Sequence, residues 1–234
     1  MSRERIYHQR WFQGLSVLAL LVLVAVVVHQ LVPEPKIPAH SHPIVGDVIV
    51  NEKAGERIVF REVPPLEGDG KTVIDVHLEA LGAVPVAHIH PKTDEVFRVL
   101  EGSVTLVVEG VPQVVKAGES IHVPAGQAHA VENQNNAPVR VQVEMSPTGG
   151  MNLALAQVHG FLNARGEEGG LVEFLQMLRF AERYEVYRGD LPVWFQQLGI
   201  ALAAPLARAL GFSSFYHAYA QEARDRNIDK EGSP

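Results

Sequence analysis

The sequence predicts a mainly β fold, an antiparallel sandwich or barrel, with an apolar helix before it and helices after it. Three observations lead to this fold class. Short β-prone runs broken by turn residues fill the chain between Asp47 and Met145, as in antiparallel barrels. A long apolar stretch precedes them, and helical periodicity follows from about Asn152. A length of 234 residues allows one domain with a sizeable core and appendages.

The composition narrows the classes of function. Hydrophobic residues make up 47% of the chain and charged residues 20%, as expected of a folded protein. The net charge of −7 and the lack of a long basic run disfavour nucleic-acid binding. The chain has no cysteine, which excludes disulfides, thiolate catalysis and cysteine-ligated zinc or iron–sulfur sites.

The N-terminus predicts a membrane anchor. Residues 1–10 carry three arginines against one acid, and residues 11–32 are almost entirely apolar. A helix over residues 11–32 would be about 33 Å long, enough to cross the hydrocarbon core of a bilayer. The basic end should stay cytoplasmic, which would place everything after Val32 outside.

Two alternatives to the anchor stay open. A cleaved signal peptide would have a suitable apolar core from Leu15 to Val28, and it would leave a secreted or periplasmic protein. No small-x-small cleavage site follows at a normal distance, since Ala39 has Ile37 two positions before it. A buried soluble helix is the least favoured, because the stretch has no polar face.

A linker is predicted over residues 33–46. Its sequence PEPKIPAHSHP holds four prolines in eleven residues, which indicates an extended, semi-rigid segment. His40 and His42 lie in this linker, where exposure to solvent is favoured over a metal-binding role.

The predicted barrel covers residues 47–147, and a helical tail covers residues 148–234. Eight runs have the length and composition of strands: Ile58–Glu62, Thr72–Leu81, Val84–Ile89, Glu95–Leu100, Ser103–Glu109, Gln113–Lys116, Ser120–Val123 and Val139–Met145. Turn residues separate them, including Gly68–Gly70, Gly110–Pro112 and Pro124–Gly126.

One segment of the barrel brings together donors for a metal ion. His88 and His90 are two residues apart, so on a strand both imidazoles lie on the same face. Glu95 follows a short turn that contains Pro91. The next strand can therefore bring its carboxylate alongside the two rings.

A second segment supplies a third imidazole, His129, after the turn at Pro124 and Gly126. Three imidazoles and one carboxylate suit a divalent transition metal such as Fe, Mn, Ni, Zn or Cu. Such a set leaves one or two coordination positions for water or substrate.

These two segments resemble the two conserved motifs of the cupin superfamily, and the chain is similar to single-domain, type 2-like cupins. Gly82–Gly102 matches G-x5-HxH-x4-E-x6-G and residues 118–133 match G-x5-PxG-x2-H-x3-N, with fifteen residues between the motifs. The resemblance implies a double-stranded β-helix, or jelly-roll, barrel. It also implies a mononuclear metal site with the ligands His88, His90, Glu95 and His129, with turn roles for the glycines and Pro124 and a structural role for Asn133. Residues 51–60 also resemble the first strand of single-domain cupins.

Odd or even position along a predicted strand indicates which other barrel residues face the cavity. Phe97 and Val99 share the parity of Glu95, so they are expected to line the cavity, and Arg98 is expected to point outward. His77 and His122 have no partner in either motif. Surface or packing roles are favoured for both, with a place at the cavity mouth as the alternative for His122.

The tail is predicted to be helical and resembles tails found on some bacterial cupins. Leu171, Phe174, Leu175 and Leu178 have the spacing of one apolar helix face. The apolar segment Val193–Leu210 has three interpretations: a membrane-interfacial helix, which is favoured, a helix packed on the barrel, and a second span. Pro205 and Arg208 disfavour the span. The last twenty residues are polar and are expected to fray.

Three hypotheses for function follow. The leading one is a membrane-anchored, metal-dependent enzyme acting on a small molecule, either an oxidoreductase of the dioxygenase type or an isomerase, classes that the cupin resemblance implies. The second is a small-molecule sensor without turnover. The third is a membrane scaffold that dimerises through its barrel, as cupins often form homodimers. Outside the four metal ligands, the sequence nominates no acid, base or nucleophile.

Overall fold

The structure is a computed structural model that describes residues 3–65, 70–84, 86–164 and 169–220. The turn predicted at Gly68–Gly70 falls mostly outside the described residues. Most of the polar C-terminal segment predicted to fray, from residue 221 onward, lies outside them too.

Two antiparallel sheets form the centre of the molecule, so the predicted mainly β fold is confirmed. The first sheet has the spatial order β1 (Val48–Asn51), β2 (Glu56–Glu62), β3 (Thr72–Leu78), β10 (Val139–Ser146), β5 (Asp94–Glu101) and β8 (Ser120–Val123). The second has the order β11 (Tyr187–Arg188), β4 (His88–Ile89), β9 (His129–Glu132), β6 (Ser103–Val108) and β7 (Val111–Lys116).

The strands differ from the prediction in three ways. The run predicted as Val84–Ile89 is a strand at His88–Ile89, and Ala83 just before it makes an isolated bridge with Glu132. Strands β1, β9 and β11, of two to four residues, are absent from the prediction, because runs this short give a weak periodic signal. The stretch 51–60, predicted as one strand, contains the turn that joins β1 to β2.

The core lies between the two sheets. It consists of the inward-facing aliphatic and aromatic residues of both sheets, among them Phe60, Leu78, Leu106 and Val141, all essentially inaccessible to water. Alternation of buried and partly exposed residues is clearest along β10, as expected for a strand with one face in a core.

The described part of the chain has four helices of fourteen residues or more: α1 (Arg3–Leu31), α2 (Met151–Ala164), α3 (Leu171–Tyr184) and α4 (Val193–Ala209). The helix predicted around Leu171 is present, but the side chains of Leu171 and Phe174 are exposed. The buried residues of α3 include Gln176, Arg179 and Phe180. Polar partners explain the burial of Gln176. Its side-chain amide donates a hydrogen bond to the Ser213 carbonyl and accepts one from the Tyr216 hydroxyl.

Helix α4 packs with one side and exposes the other. Ile200 and Ala204 cluster with Ile89 of β4 and Tyr187 of β11. The opposite side is an exposed apolar row, named here the α4 row, of residues four apart: Trp194, Leu198, Leu202, Leu206 and Leu210.

Helix α1 contains the one described segment long and apolar enough to cross a membrane, judged by length and composition. It runs from Trp11 to Leu31 with a mean hydropathy of 2.5, and 6% of its most apolar window is buried. Ala25 is buried in this segment, and α1 contacts α4.

Candidate metal centre

The four residues of the predicted metal site meet at one point of the barrel. His88 on β4 is the register partner of His129 on β9, and Glu95 begins the inward face of β5. One potential ligand atom from each of His88, His90, Glu95 and His129 lies within 4.8 Å of all the others. This cluster could hold a single metal ion.

Backbone carbonyls orient two of the rings. Nδ1 of His88 lies 2.9 Å from the carbonyl oxygen of Val86, and Nδ1 of His129 lies 3.1 Å from that of Gln127. A carbonyl only accepts hydrogen bonds, so each Nδ1 carries the proton. In the neutral ring each Nε2 then keeps its lone pair for a metal, the arrangement typical of metal-binding histidines.

The cluster contains buried polar atoms without hydrogen-bond partners. Both ring nitrogens of His90 are in this state, as are Nε2 of His129 and Oε2 of Glu95. The last two atoms approach to 2.6 Å, but not in hydrogen-bond geometry. Buried nitrogen and oxygen atoms normally find partners. A divalent cation would satisfy one ring nitrogen of His90 together with Nε2 of His129 and Oε2 of Glu95. The donor set therefore fits a metal ion.

The electrostatics of the cluster keep two of its groups ready to donate lone pairs. Burial, with the neighbouring His90 and His129, lowers the pKa of His88 to about 3. Burial alone would raise the pKa of Glu95, but the nearby imidazoles lower it to about 2. The ring of His88 is therefore neutral and Glu95 is ionised at neutral pH, as metal ligands must be.

The cluster opens onto a cavity of about 80 Å³ inside the barrel, room for several water molecules or a small organic group. Its walls are mostly aliphatic, with Phe97 among them as predicted. Val99 is buried in the core but does not line the cavity, so that part of the parity prediction is wrong. Arg98 is exposed on the outer face, as predicted.

The remaining predicted histidines lie away from the cavity. The side chain of His122 is more than half exposed, 3.7 Å from Asp94. His77 pairs with Arg57 and Arg140 in the sheet register and does not line the cavity. His40 and His42 belong to no group of candidate metal ligands in the described residues.

Two polar residues of the cavity wall were missed from sequence. Glu56 of β2 and His159 of α2 both line it, together with Met151 and Leu155 of the same helix. Two signals could have found them. Glu56 shares parity with the inward Ile58, and His159 continues the four-residue spacing of Met151 and Leu155.

A second group of candidate ligands consists of His29, Glu34 and Glu182. Arginines already occupy its carboxylates. Arg179 bonds both Glu34 and Glu182, and Arg208 lies 3.2 Å from Glu34. These ion pairs neutralise the acids, so the group joins α1, α3 and α4 rather than offering a metal site.

Comparison with known proteins finds a family model that matches part of the barrel. Residues 75–145 match the family model described as a cupin domain. A polyketide synthase protein of Streptomyces glaucescens, TcmJ, is 36% identical over 72 residues, 30% of this chain and 48% of that protein. An uncharacterized protein of Methanocaldococcus jannaschii is 28% identical over 61 residues, 26% of this chain and 49% of the other. The chain thus spans about half the length of these curated relatives.

Solved structures with similar folds were also found. The polyketide cyclase RemF of Streptomyces resistomycificus is 24% identical with a TM-score of 0.35, over 39% of this chain and 65% of that one. A predicted oxalate decarboxylase of Thermotoga maritima is 16% identical with a TM-score of 0.38, over 44% and 93%. The family match over residues 75–145, together with the antiparallel sheets that carry both motifs, supports placing this barrel in the cupin superfamily.

Proposed function

We propose that this protein binds one divalent metal ion through His88, His90, Glu95 and His129 and acts on a small molecule in the barrel cavity. The observation that carries the proposal is the convergence of four donor side chains, with unpartnered buried atoms, on an apolar cavity. An enzyme is favoured over a sensor, because four protein donors would leave one or two positions of a five- or six-coordinate metal free for substrate beside the cavity.

Each part of the site has a task in this proposal. The metal, when bound, would act as a Lewis acid and orient an oxygen-containing group of the substrate. The carbonyls behind His88 and His129 hold the rings in one orientation. Phe97 and the aliphatic walls exclude water and strengthen electrostatic contacts. The relative named as a polyketide synthase protein supports an organic molecule as the ligand.

Elemental analysis of the full chain, extracted in detergent, tests the metal proposal. We expect about one Fe, Mn, Ni, Zn or Cu per chain, and none in the double variant H88A/H129A. Native mass spectrometry of the same sample would reveal a co-purified small molecule. Wild-type protein that takes up no more metal than the double variant would contradict the proposal.

A measurement of substrate turnover distinguishes the enzyme hypothesis from the sensor hypothesis. Loss of oxygen uptake or product formation on chelation, with recovery when metal returns, would support the enzyme. Ligand binding without turnover across a substrate panel would support the sensor. A dimeric protein whose function in cells survives H88A/H90A would instead support the scaffold, with a second copy of the chain as partner.

We also propose that α1 anchors the protein in a membrane, with the N-terminus cytoplasmic and the barrel outside. The apolar segment Trp11–Leu31 and the arginines before it support this orientation. Membrane fractions washed with carbonate should retain the protein, and protease added outside should digest the barrel. A mature protein that begins after residue 32 would point to a cleaved signal and a secreted or periplasmic product.

The α4 row is proposed to rest on the same bilayer. Arg208 near the end of α4 hydrogen-bonds the carbonyl of His29 in the last turn of α1 and those of Val32 and Pro33 just past it, so an inserted α1 would bring α4 to the membrane surface. In the α4 row, Trp194 is 67% and Leu202 is 58% exposed, an apolar face that suits the interface.

Tryptophan fluorescence can test this contact, because the chain has two tryptophans and W11F leaves only Trp194. In vesicles of phosphatidylcholine and phosphatidylglycerol we expect blue-shifted emission that brominated lipids quench. Water-like, unquenched emission from a chain that is nevertheless inserted would refute the α4 contact and leave the α1 anchor standing.

A further inference from the structure

Glu56 and His159 form a buried polar pair in the wall of the barrel cavity. Nε2 of His159 lies 2.9 Å from Oε2 of Glu56, and both residues are almost inaccessible to water. The two are 103 positions apart in the chain, one on barrel strand β2 and the other on tail helix α2. The tail thus contributes directly to the cavity that the metal centre faces.

The protonation of the pair follows from its contacts. Nδ1 of His159 lies 2.9 Å from the Leu155 carbonyl oxygen, so it carries a proton and donates it there. A single further proton is shared between Nε2 and the Glu56 carboxylate. Because that bond uses Oε2, the other oxygen, Oε1, remains as an acceptor for a group in the cavity.

The pair and the metal centre lie at different levels of the barrel. Glu56 pairs with Leu78, and Leu78 pairs with Val139 of β10. Glu95 pairs instead with Met145 of the same strand, six positions further along. Both groups line the same cavity, which therefore has two separate polar groups in an otherwise mostly aliphatic wall.

A contribution to stability does not by itself explain why Glu56 and His159 are buried together. A buried ion pair adds little net stability compared with apolar residues of the same size, because both charges lose their hydration. Other contacts already hold α2 on the barrel, including the hydrogen bond from the Asn163 amide to the Val50 carbonyl. Met151 and Leu155 also pack toward the cavity.

We propose that Glu56 and His159 form a second polar subsite of the cavity, in which Glu56 Oε1 accepts a hydrogen bond from a ligand hydroxyl group. The class of ligand is a small, mainly apolar molecule, such as an aromatic ring, that carries a hydroxyl away from its metal-binding end. The inference rests on the proposed small-molecule function of the cavity but does not require the metal.

Phenol and toluene are a matched pair of probes for this subsite, since they differ by a hydroxyl in place of a methyl group. Met145 and Met151 line the cavity, so the ¹³C-methyl signals of labelled methionine report its occupancy in the full-length, metal-depleted chain. The measured quantity is the ratio of phenol affinity to toluene affinity. All variants are measured in identical micelles, so the partitioning of each probe into detergent affects every variant equally.

We expect the ratio to fall about tenfold from wild type to E56L, the loss typical of a hydrogen bond to a charged group. E56Q, which keeps a weaker acceptor and the shape of the side chain, should give an intermediate ratio. It decides the test if E56L does not fold. Asp75 is a buried carboxylate paired with Arg61 and Arg140 away from the cavity, so the matched control D75N should keep the wild-type ratio.

Two results would overturn the inference. A ratio that falls in H88A but not in the Glu56 variants would place the phenol hydroxyl at the metal centre, and the small-molecule function would survive. Wild-type methionine signals that respond to neither probe would show that the cavity admits no such molecule, and the proposed function would fail with the subsite.

Discussion

The guanidinium of Arg208, in the last turn of α4, donates a 2.8 Å hydrogen bond to the carbonyl oxygen of Val32, just past the end of α1. It also donates to the carbonyls of His29 and Pro33, at 3.1 and 2.7 Å. The last carbonyls of a helix have no partner within the helix, and His29 lies in the last turn of α1. One side chain of the tail therefore satisfies a carbonyl at the end of α1 and two carbonyls just beyond it, which holds α4 beside α1.

Replacing this side chain should loosen the contact between α4 and α1. In R208Q we expect a loss of about 1.5–3 kcal/mol, the range for hydrogen bonds of a charged group. R208K should recover only part of it, because lysine lacks the planar fork of arginine. Hydrogen exchange of the α4 amides in the full chain measures the effect, with R98Q on the outer barrel face as control. Equal protection of α4 in R208Q and R98Q would contradict this role.

The contact between α2 and Tyr219, near the end of the described residues, can be tested by replacing two glycines with alanine. A Cβ on Gly160 would lie 2.4 Å from Cβ of Tyr219, so G160A should destabilise the fold by about 1–3 kcal/mol. A Cβ on Gly199, in α4, would meet nothing within 4 Å. G199A should therefore be neutral or stabilise by up to ~1 kcal/mol. Denaturant unfolding of both variants measures the difference, and similar stabilities would mean that Tyr219 does not pack against α2.

Metal affinity should depend on His129 and not on His122. H129A removes one of four donors, and we expect metal affinity to fall at least as far as the roughly 10–100-fold seen for outer-shell losses. H122A changes an exposed histidine of β8 and should leave metal affinity unchanged. Isothermal titration calorimetry with Zn²⁺ measures the metal affinity of both variants. A similar loss in both variants would argue against a centre at His129.

The stabilisation from the Glu56–His159 pair should depend on pH. Burial alone would lower the pKa of His159, but the Glu56 carboxylate raises it above 6.5. A raised folded-state pKa gives stabilisation that is complete below the unfolded pKa and is lost as the pH rises through the folded one. The difference in unfolding free energy between wild type and H159Q should therefore be larger near pH 6 than near pH 9. A difference that is constant across this range would show that the pair does not share a titrating proton.

Much of the barrel could be predicted from local pattern. The separation of His88 and His90 by two residues places both rings on one side of an extended segment. The turn residues around Gly102 and Pro124 separate runs that could only be strands. Val99 shows the limit of parity, because it faces inward as expected and yet lies in solid core rather than at the cavity.

The sequence by itself determined the fold class, the apolar N-terminal segment and the four residues that cluster at the candidate metal centre. Local spacing indicates the first two and the group of His88, His90 and Glu95, while His129 follows from the match of residues 118–133 to the second motif. The tertiary structure alone decided that His159 meets Glu56 in the cavity, that Arg208 caps α1, and that α3 buries Arg179 while exposing Leu171. Periodicity identifies which residues share a face, but the partner of that face depends on how distant segments pack together.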